Sequence, residues 1–343
     1  MSTVSLAPIA ARAAAPAQPP LPPAELGLAW RPLTPDDAPA LFDLVAAIEE
    51  ADALPFRRSL DEVVEMFEGD WKDHARDTLA GLDPDGVMRA YAQATTAPGD
   101  ESLVRAFLVG GVHPAWRGRG IGRSVVAWLE GRGRQLLAES GKDVPGRLAA
   151  YLEDAAPGAS RVYARAGFTP IRYYSEMRRP LRDGVADVPR VEGVRVVPWS
   201  PELDEATRLA HNEAFADHWG SQPRSVEAWS HGRSMFAPSW SFLAVDDATG
   251  EVAGYLLSGR YEQDWAVAGY PSGYTELLGV RRAWRGRGLG VALLTTAMHA
   301  YAADGMHYAE LGVDTENPSG AHGLYASLGY EVFQGSSMWT IEL

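Results

Sequence analysis

The chain has 343 residues, long enough for two ordinary domains and too long for one core of typical size. Its 45 acidic and 31 basic side chains give a formal charge of -14, which repels polyanions and argues against a nucleic-acid partner. Cysteine is absent, so disulfide frameworks, zinc-thiolate centres and catalytic thiols are excluded.

Residues 1–26 are rich in Ala and Pro and lack the basic start and sustained apolar stretch of a secretory signal, so they read as a disordered tail. No run approaches the roughly 18 apolar residues needed to span a bilayer. The expectation is a soluble, cytoplasmic protein with no membrane partner. A first domain, 27–180, then predicts a strand at 28–32, a helix at 36–49, an exposed acidic helical face at 60–70, strands at 87–95 and 103–112, and a glycine-led helix at 120–137. Residues 181–192 carry the Gly, Pro and charge content of a linker.

A second domain, 193–343, predicts a strand at 193–198 and a helix at 201–215, then strands at 239–245 and 252–258 joined by an Asp-Ala-Thr-Gly turn. A strand at 275–280 leads to a helix at 288–303 with Leu289, Leu293, Leu294 and Met298 on one face. A strand at 308–313, a helix at 318–328 and a final pair of strands complete it. Strands and helices intermix in both halves. The fold class is therefore α/β (α+β), with a mixed, largely antiparallel sheet flanked by helices in each domain.

The two halves repeat. Residues 114–122 read P-A-W-R-G-R-G-I-G and residues 282–290 read R-A-W-R-G-R-G-L-G, with V-Y-A-R-A-G-F at 162–168 and L-Y-A-S-L-G-Y at 324–330. Two landmarks in the same order at similar spacing imply duplication of a whole unit. Each glycine-rich segment follows an apolar strand and opens a helix, where unpaired amides and the positive helix end suit a pyrophosphate. The Gly-Lys-Ser/Thr of nucleotide triphosphatases is missing, and the dinucleotide pattern at a βαβ start is not met.

R-x-x-G-x-G after a strand, followed by L-Y-x-x-x-G-F/Y, resembles the GNAT superfamily of N-acetyltransferases, over both halves of the chain. Within it, the tandem arrangement and the stretch N-E-A-F-A-D-H-W-G at 212–220 resemble the mycothiol synthase group of two-domain enzymes. The resemblance implies two tandem GNAT acyl-CoA N-acyltransferase folds and acetyl-CoA as co-substrate. Its contacts would be Leu278, Gly279, Val280, Arg285, Gly286, Arg287, Gly288, Leu289, Gly290 and Asn317 in the second domain. In the first they would be Val112, Arg117, Gly118, Arg119, Gly120, Gly122 and Arg123. Tyr325 takes the place of the acid that meets the departing thiolate; Tyr163 is its counterpart.

The acceptor must shed a proton, since an alkyl amine of pKa near 10 is only about one part in a thousand neutral at pH 7, a cost of roughly 4 kcal/mol. A carboxylate base lowers that cost. Glu276, three residues before Gly279, is the candidate base; the matching residue of the first domain is Leu108, which marks that domain as degenerate or regulatory. The resemblance places the base two residues earlier, where this chain has Tyr274. Asp217, His218 and Trp219, together with Tyr274, are candidate acceptor contacts, and no cluster has metal-ligand spacing. Direct transfer to a primary amine of a small molecule is the leading reading, with a non-catalytic acetyl-CoA sensor and a protein lysine or N-terminal acetyltransferase as alternatives. Neither the acceptor nor the oligomeric state can be read.

Overall fold

A computed structural model describes residues 6–316 and 320–343. Its elements begin with helix α1 (Ile9–Arg12), strand β1 (Ala29–Arg31), helices α2 (Ala38–Ala51), α3 (Leu60–Glu65) and α4 (His74–Asp77), and strands β2 (Thr78–Leu82), β3 (Met88–Thr96) and β4 (Val104–Val112). Then come α5 (Ile121–Glu139), β5 (Gly146–Glu153), α6 (Pro157–Arg165), β6 (Thr169–Pro180), β7 (Val194–Pro198), α7 (Asp204–Ala214), α8 (Val226–Ser230), β8 (Phe242–Asp246) and β9 (Val252–Gly259). The last are α9 (Glu262–Ala268), β10 (Ser272–Val280), α10 (Leu289–Ala303), β11 (Tyr308–Asp314), α11 (Ala321–Ser327) and β12 (Glu331–Glu342).

The chain divides into two compact units, one running up to Arg172 and including Ser336–Leu343, the other spanning Tyr173–Gly335. The sheet of the first unit has the order β1-β2-β3-β4-β5-β12, and only β4 and β5 run parallel. That of the second has the order β6-β11-β10-β9-β8-β7, with β10 and β11 as its parallel pair.

These boundaries correct the expected ones at 180 and 193. β6 and β12 are single strands of 12 residues, and each contributes its two halves to different units. The expected final pair of strands is the one strand β12, whose residues Ser336–Glu342 pair with β5. Period-2 patterning identifies a strand but not which neighbour each end joins. Residues 181–192 are irregular, as a linker would be, but they belong to the second unit: Leu181 is buried and Val185 and Val191 pack on the same core.

The N-terminal segment is a second correction. Residues expected to form a disordered tail lie along α5, with Ile9 at 1% exposure and Ala13 at 0%. Arg134 donates to the Ala13 carbonyl at 2.8 Å and Gln135 to that of Pro16 at 2.9 Å. At Gly131 of α5 a Cβ would stand 3.0 Å from Pro20, so a glycine surface admits the proline-rich chain. Proline has little conformational freedom to lose on docking and no amide needing a partner. Composition alone does not register that match.

Each unit sandwiches its sheet between two cores. In the second, Leu289, Leu293, Leu294 and Met298 of α10 pack with Leu256, Leu311 and Tyr325, while Ala210 of α7 packs on the other face with Leu243, Tyr255 and Leu257. In the first, Val125 and Leu129 of α5 pack with Leu108 and Leu148, and Leu41 and Val45 of α2 pack with Tyr91. Ile9→Ala tests the docking of the N-terminal segment. The substitution should destabilise the first unit by about 2–5 kcal/mol, as for other buried aliphatic truncations, and lower its thermal midpoint by several degrees. An unchanged midpoint in calorimetry would return these residues to the status of a tail.

Candidate functional site

The second unit opens at its centre. β10 pairs with β11 from Ser272↔Tyr308 to Thr275↔Leu311, and the mutual register ends there. On its other side β10 pairs with β9 from Tyr274↔Gly259 to Val280↔Gly254, with a shift between Thr275 and Leu277. Glu276 is therefore the extra residue of a β-bulge, placed where the parallel neighbour departs. Thr275 faces α10, its hydroxyl 3.2 Å from that of Tyr301, whereas Leu277 joins the core on the α7 side. Glu276 is exposed and accepts a hydrogen bond from the Tyr261 hydroxyl. With Tyr261, Leu257, Leu277, Trp229, Phe236, Arg224 and Arg233 it lines a cavity of about 140 Å³.

Beyond the splay the chain makes a short 3-10 turn (Arg282–Trp284) and enters α10 through Gly286 and Gly288, at φ 73° and 86°. Both glycines adopt the left-handed conformation, and a Cβ on either would meet nothing within 4 Å, so the loop faces open space. Arg287, Leu289 and Gly290 complete the turn into the helix, whose first-turn amides have no intrahelical acceptor. Arg285 does not project into that space as a spare charge: it donates to the Val280 carbonyl at 3.1 Å and the Ala214 carbonyl at 2.7 Å. Arg287 donates to the Glu192 carbonyl at 2.6 Å. The arginines brace the loop and the backbone presents the donors.

Gly279 allows a close approach, because a Cβ there would stand 2.5 Å from the ring of Tyr255. The Tyr255 hydroxyl lies 2.6 Å from His211 Nδ1, and burial pulls His211 down to about 3, with the Arg224 charge adding to the effect. His211 is thus a neutral structural support. Leu278 and Val280 pack toward α10. Tyr325 is 8% exposed on the core side of α11, and burial pushes it up to about 12, so it holds its proton through the working pH range. Asn317 lies outside the described residues.

The candidate acceptor residues fall in two places. Tyr274 donates to Glu176 at 3.0 Å and meets Tyr261 edge-on at 5.7 Å; burial and the carboxylates of Glu176 and Glu276 push it well above its ordinary value. Asp217 is ion-paired with Arg282, which holds its carboxyl low, and His218 packs against Phe215 at 4.4 Å and is lowered by burial and by Arg285. Trp219 is 40% exposed. Asp217, His218 and Trp219 are not among the cavity's lining residues; Asp217 and His218 lie beside the turn into the glycine loop instead, near Arg282 and Arg285. Arg224, Trp229, Arg233, Phe236 and Tyr261 come from segments without periodicity, and sequence reasoning passed over them.

In the first unit β4 and β5 also part, after Phe107↔Ala149, but β3 and β4 pair without interruption from Ala90↔Val112 to Thr96↔Ala106. With no bulge, Leu108 is 3% exposed in the core on the α5 side. Gly118 and Gly120 repeat the left-handed loop at φ 79° and 91°. Arg117 bonds the Val112 carbonyl at 3.2 Å and pairs with Asp52, Arg119 stacks on Trp116 at 4.4 Å, and Arg123 is exposed. A Cβ on Gly122 would stand 3.9 Å from Val112. Tyr163 is buried edge-on to Phe168 at 5.1 Å. Among the described residues no group of three or more His, Cys, Asp or Glu could hold a metal, and no helix is long and apolar enough to cross a membrane.

Residues 204–330 match the model of the acetyltransferase (GNAT) family. A mycothiol acetyltransferase of Thermobispora bispora is 30% identical over 326 residues, covering 90% of this chain and 96% of that protein. One from Mycobacterium sp. is 32% identical over 291 residues, covering 80% and 83%. A GCN5-related N-acetyltransferase structure from Sphaerobacter thermophilus superposes with a TM-score of 0.68 at 28% identity, covering 94% of this chain and 96% of that one. A tandem GNAT protein from the clavulanic acid biosynthesis pathway shares the fold at TM-score 0.66 and 21% identity, covering 92% and 98%. The bulged, splayed sheet, the repeated loop and these likenesses agree: the chain belongs to the GNAT acetyltransferase family, as a tandem-domain enzyme that moves an acetyl group to an amine of a small molecule.

Proposed function

We propose that the second unit carries out this transfer from acetyl-CoA, with Glu276 as base and Tyr325 as proton donor. The observation that carries the reading is the bulge at Glu276, which brings a carboxylate to the mouth of the splay beside the cavity. The pantetheine arm would pair along the edge of Leu278–Val280 that β11 no longer covers, and the amides leading into α10 would take the pyrophosphate. Asn317 is proposed as a further coenzyme contact. Glu276 takes the proton of the acceptor ammonium, the free amine attacks the thioester carbonyl, and the C–S bond breaks as the amide forms. The sulfur leaves toward Tyr325, which donates its proton to the thiolate and regains one from the nitrogen that has become the amide.

The first unit keeps the loop and Tyr163 but turns a leucine into its core where the second turns out a carboxylate, so its proposed role is to bind coenzyme or shape the enzyme without catalysing. Asp217, His218, Trp219 and Tyr274 are proposed to border the bound substrates. The names of the relatives make the amine of a mycothiol precursor a natural member of any acceptor panel.

Two measurements test this division of labour. Glu276→Gln should depress turnover at neutral pH and recover as pH rises and the amine deprotonates unaided. Tyr325→Phe should lose about 10²-fold or more without such recovery, since raising the pH does not supply the proton that the removed hydroxyl, protonated throughout in the wild type, would give. A wild-type pH profile and rate in Glu276→Gln would remove it as the base.

Gly288→Glu should abolish coenzyme release, because a carboxylate is placed where phosphate binds, while Gly120→Glu should cost much less. Both positions have left-handed backbone, so Gly288→Ala and Gly120→Ala serve as controls for strain. Equal losses from the two Glu variants, beyond their Ala controls, would overturn the assignment of catalysis to the second unit.

A further inference from the structure

The cavity beside Glu276 is small and strongly dipolar. Its volume of about 140 Å³ lies well below the roughly 300–1,000 Å³ of pockets for drug-sized ligands, so the part of an acceptor held there is small and close to the lining side chains. That wall includes one carboxylate, Glu276, and two guanidiniums, Arg224 and Arg233, with Trp229, Phe236 and Tyr261 as aromatic surfaces.

Neither arginine is placed casually. The backbone of Arg224 is clamped by α7: its amide donates to Asn212 Oδ1 at 2.8 Å, and its carbonyl accepts from Asn212 Nδ2 at 3.2 Å and from Arg208 at 2.6 Å. Its guanidinium lies 5.8 Å from the centre of the Trp229 ring. Arg233 lies 5.0 Å from the same ring and 5.3 Å from that of Phe236, and Asp204 accepts from two of its nitrogens at 3.0 and 3.2 Å. Asp204 also accepts from the indoles of Trp199 and Trp229, so the aromatic wall and the arginine are fixed by one carboxylate. A guanidinium has five N–H donors, and Asp204 engages only part of that set on Arg233. Two guanidiniums and a carboxylate lining one small cavity match a ligand that carries both an ammonium and an oxyanion.

We infer that the acceptor is an amine that also bears a carboxylate or phosphate, its ammonium received at Glu276 and its oxyanion at Arg224 and Arg233. The inference rests on the cavity of the second unit being the acceptor site. The Asn212 clamp makes Asn212 a positioning residue for Arg224, which gives a helix residue away from the cavity lining a role in acceptor choice.

The test uses the full chain and matched acceptors: an α-amino acid, its carboxamide and its decarboxylated amine, and an aminoalkyl phosphate with the corresponding amino alcohol. Within each set the oxyanion member should show about tenfold or greater kcat/KM in coenzyme release, and the set with the larger ratio identifies carboxylate or phosphate. Arg224→Gln should bring that ratio close to one, chiefly through the acceptor KM, and Arg224→Lys should restore part of it. Equal kcat/KM within the sets, or a ratio unmoved by Arg224→Gln, would overturn the inference while leaving amine acetylation intact. Should no member be turned over, calorimetric binding of the same sets to the CoA-loaded protein decides. Tighter binding of the oxyanion members then supports the inference even though the catalytic reading has failed, and equal or absent binding rejects it.

Discussion

The architecture of the second unit turns on two parallel strands that stop pairing. After Thr275 and Leu311, β10 and β11 diverge, and the facing amides and carbonyls of each strand lose the partners a sheet interior would supply. Buried backbone groups in that condition are costly unless water or a ligand completes them. A coenzyme arm with amide groups of its own is suited to close such a gap, which is why the opening is the proposed place for it. Neighbouring residues serve the same opening. Gly279 leaves room for Tyr255 beneath β10, and Gly312 leaves room on β11 for Glu176 and the Tyr274 hydroxyl, each within 2.9 Å of where a Cβ would stand.

Duplication supplied both units with a splay and a glycine loop, so neither feature separates them. One residue of register does. Without a bulge, the position three before the loop glycine faces the long helix, and Leu108 fills core there. With the bulge, strand alternation shifts by one and Glu276 turns to the opposite face. A Leu-to-Glu exchange in the unbulged strand would bury a charge beside Leu129 and Leu148, whereas the same carboxylate on the bulged strand stands at a cavity. The two sequence differences are thus coupled: the carboxylate requires the bulge.

This coupling also marks the limit of what was legible in the sequence. Helices following glycine, the strands of apolar alternation and the paired tyrosines are local features, and they lie within a few residues of where patterning puts them. Spacing could single out Glu276 by counting from Gly279, but register across strands decides where it points, and counting along one strand is blind to register. The chain end could be read as strand but not apportioned, because Ser336–Glu342 of the single strand β12 answer to β5 of the first unit, and β6 is not read from the sequence at all. Arg224 and Arg233 lie in a connection whose order comes from Asn212, Asp204 and Trp229, residues up to 29 positions apart. No periodic signal records such pairings.

The electrostatics of the chain look contrary to a phosphate-rich donor, since a charge of -14 repels anions at long range. At the loop, the arginines of the repeated motif do not settle the matter by simple attraction. Arg285 is tied to Val280 and Ala214, and Arg117 to Val112 and Asp52, in each case bonding the last carbonyl of the strand that leads into the turn. Their shared task is to fix the chain where strand becomes helix, so that glycines in left-handed conformation can aim amides outward. Anion binding by oriented backbone dipoles acts over a few ångströms and depends little on net charge. Screening at physiological ionic strength confines the general repulsion to about 8 Å, so an acidic surface and a phosphate cradle can share one molecule. The shared arginine-glycine spacing of the two halves is then a geometric requirement of the turn, which explains why the first unit keeps it although the proposed base is missing from its strand.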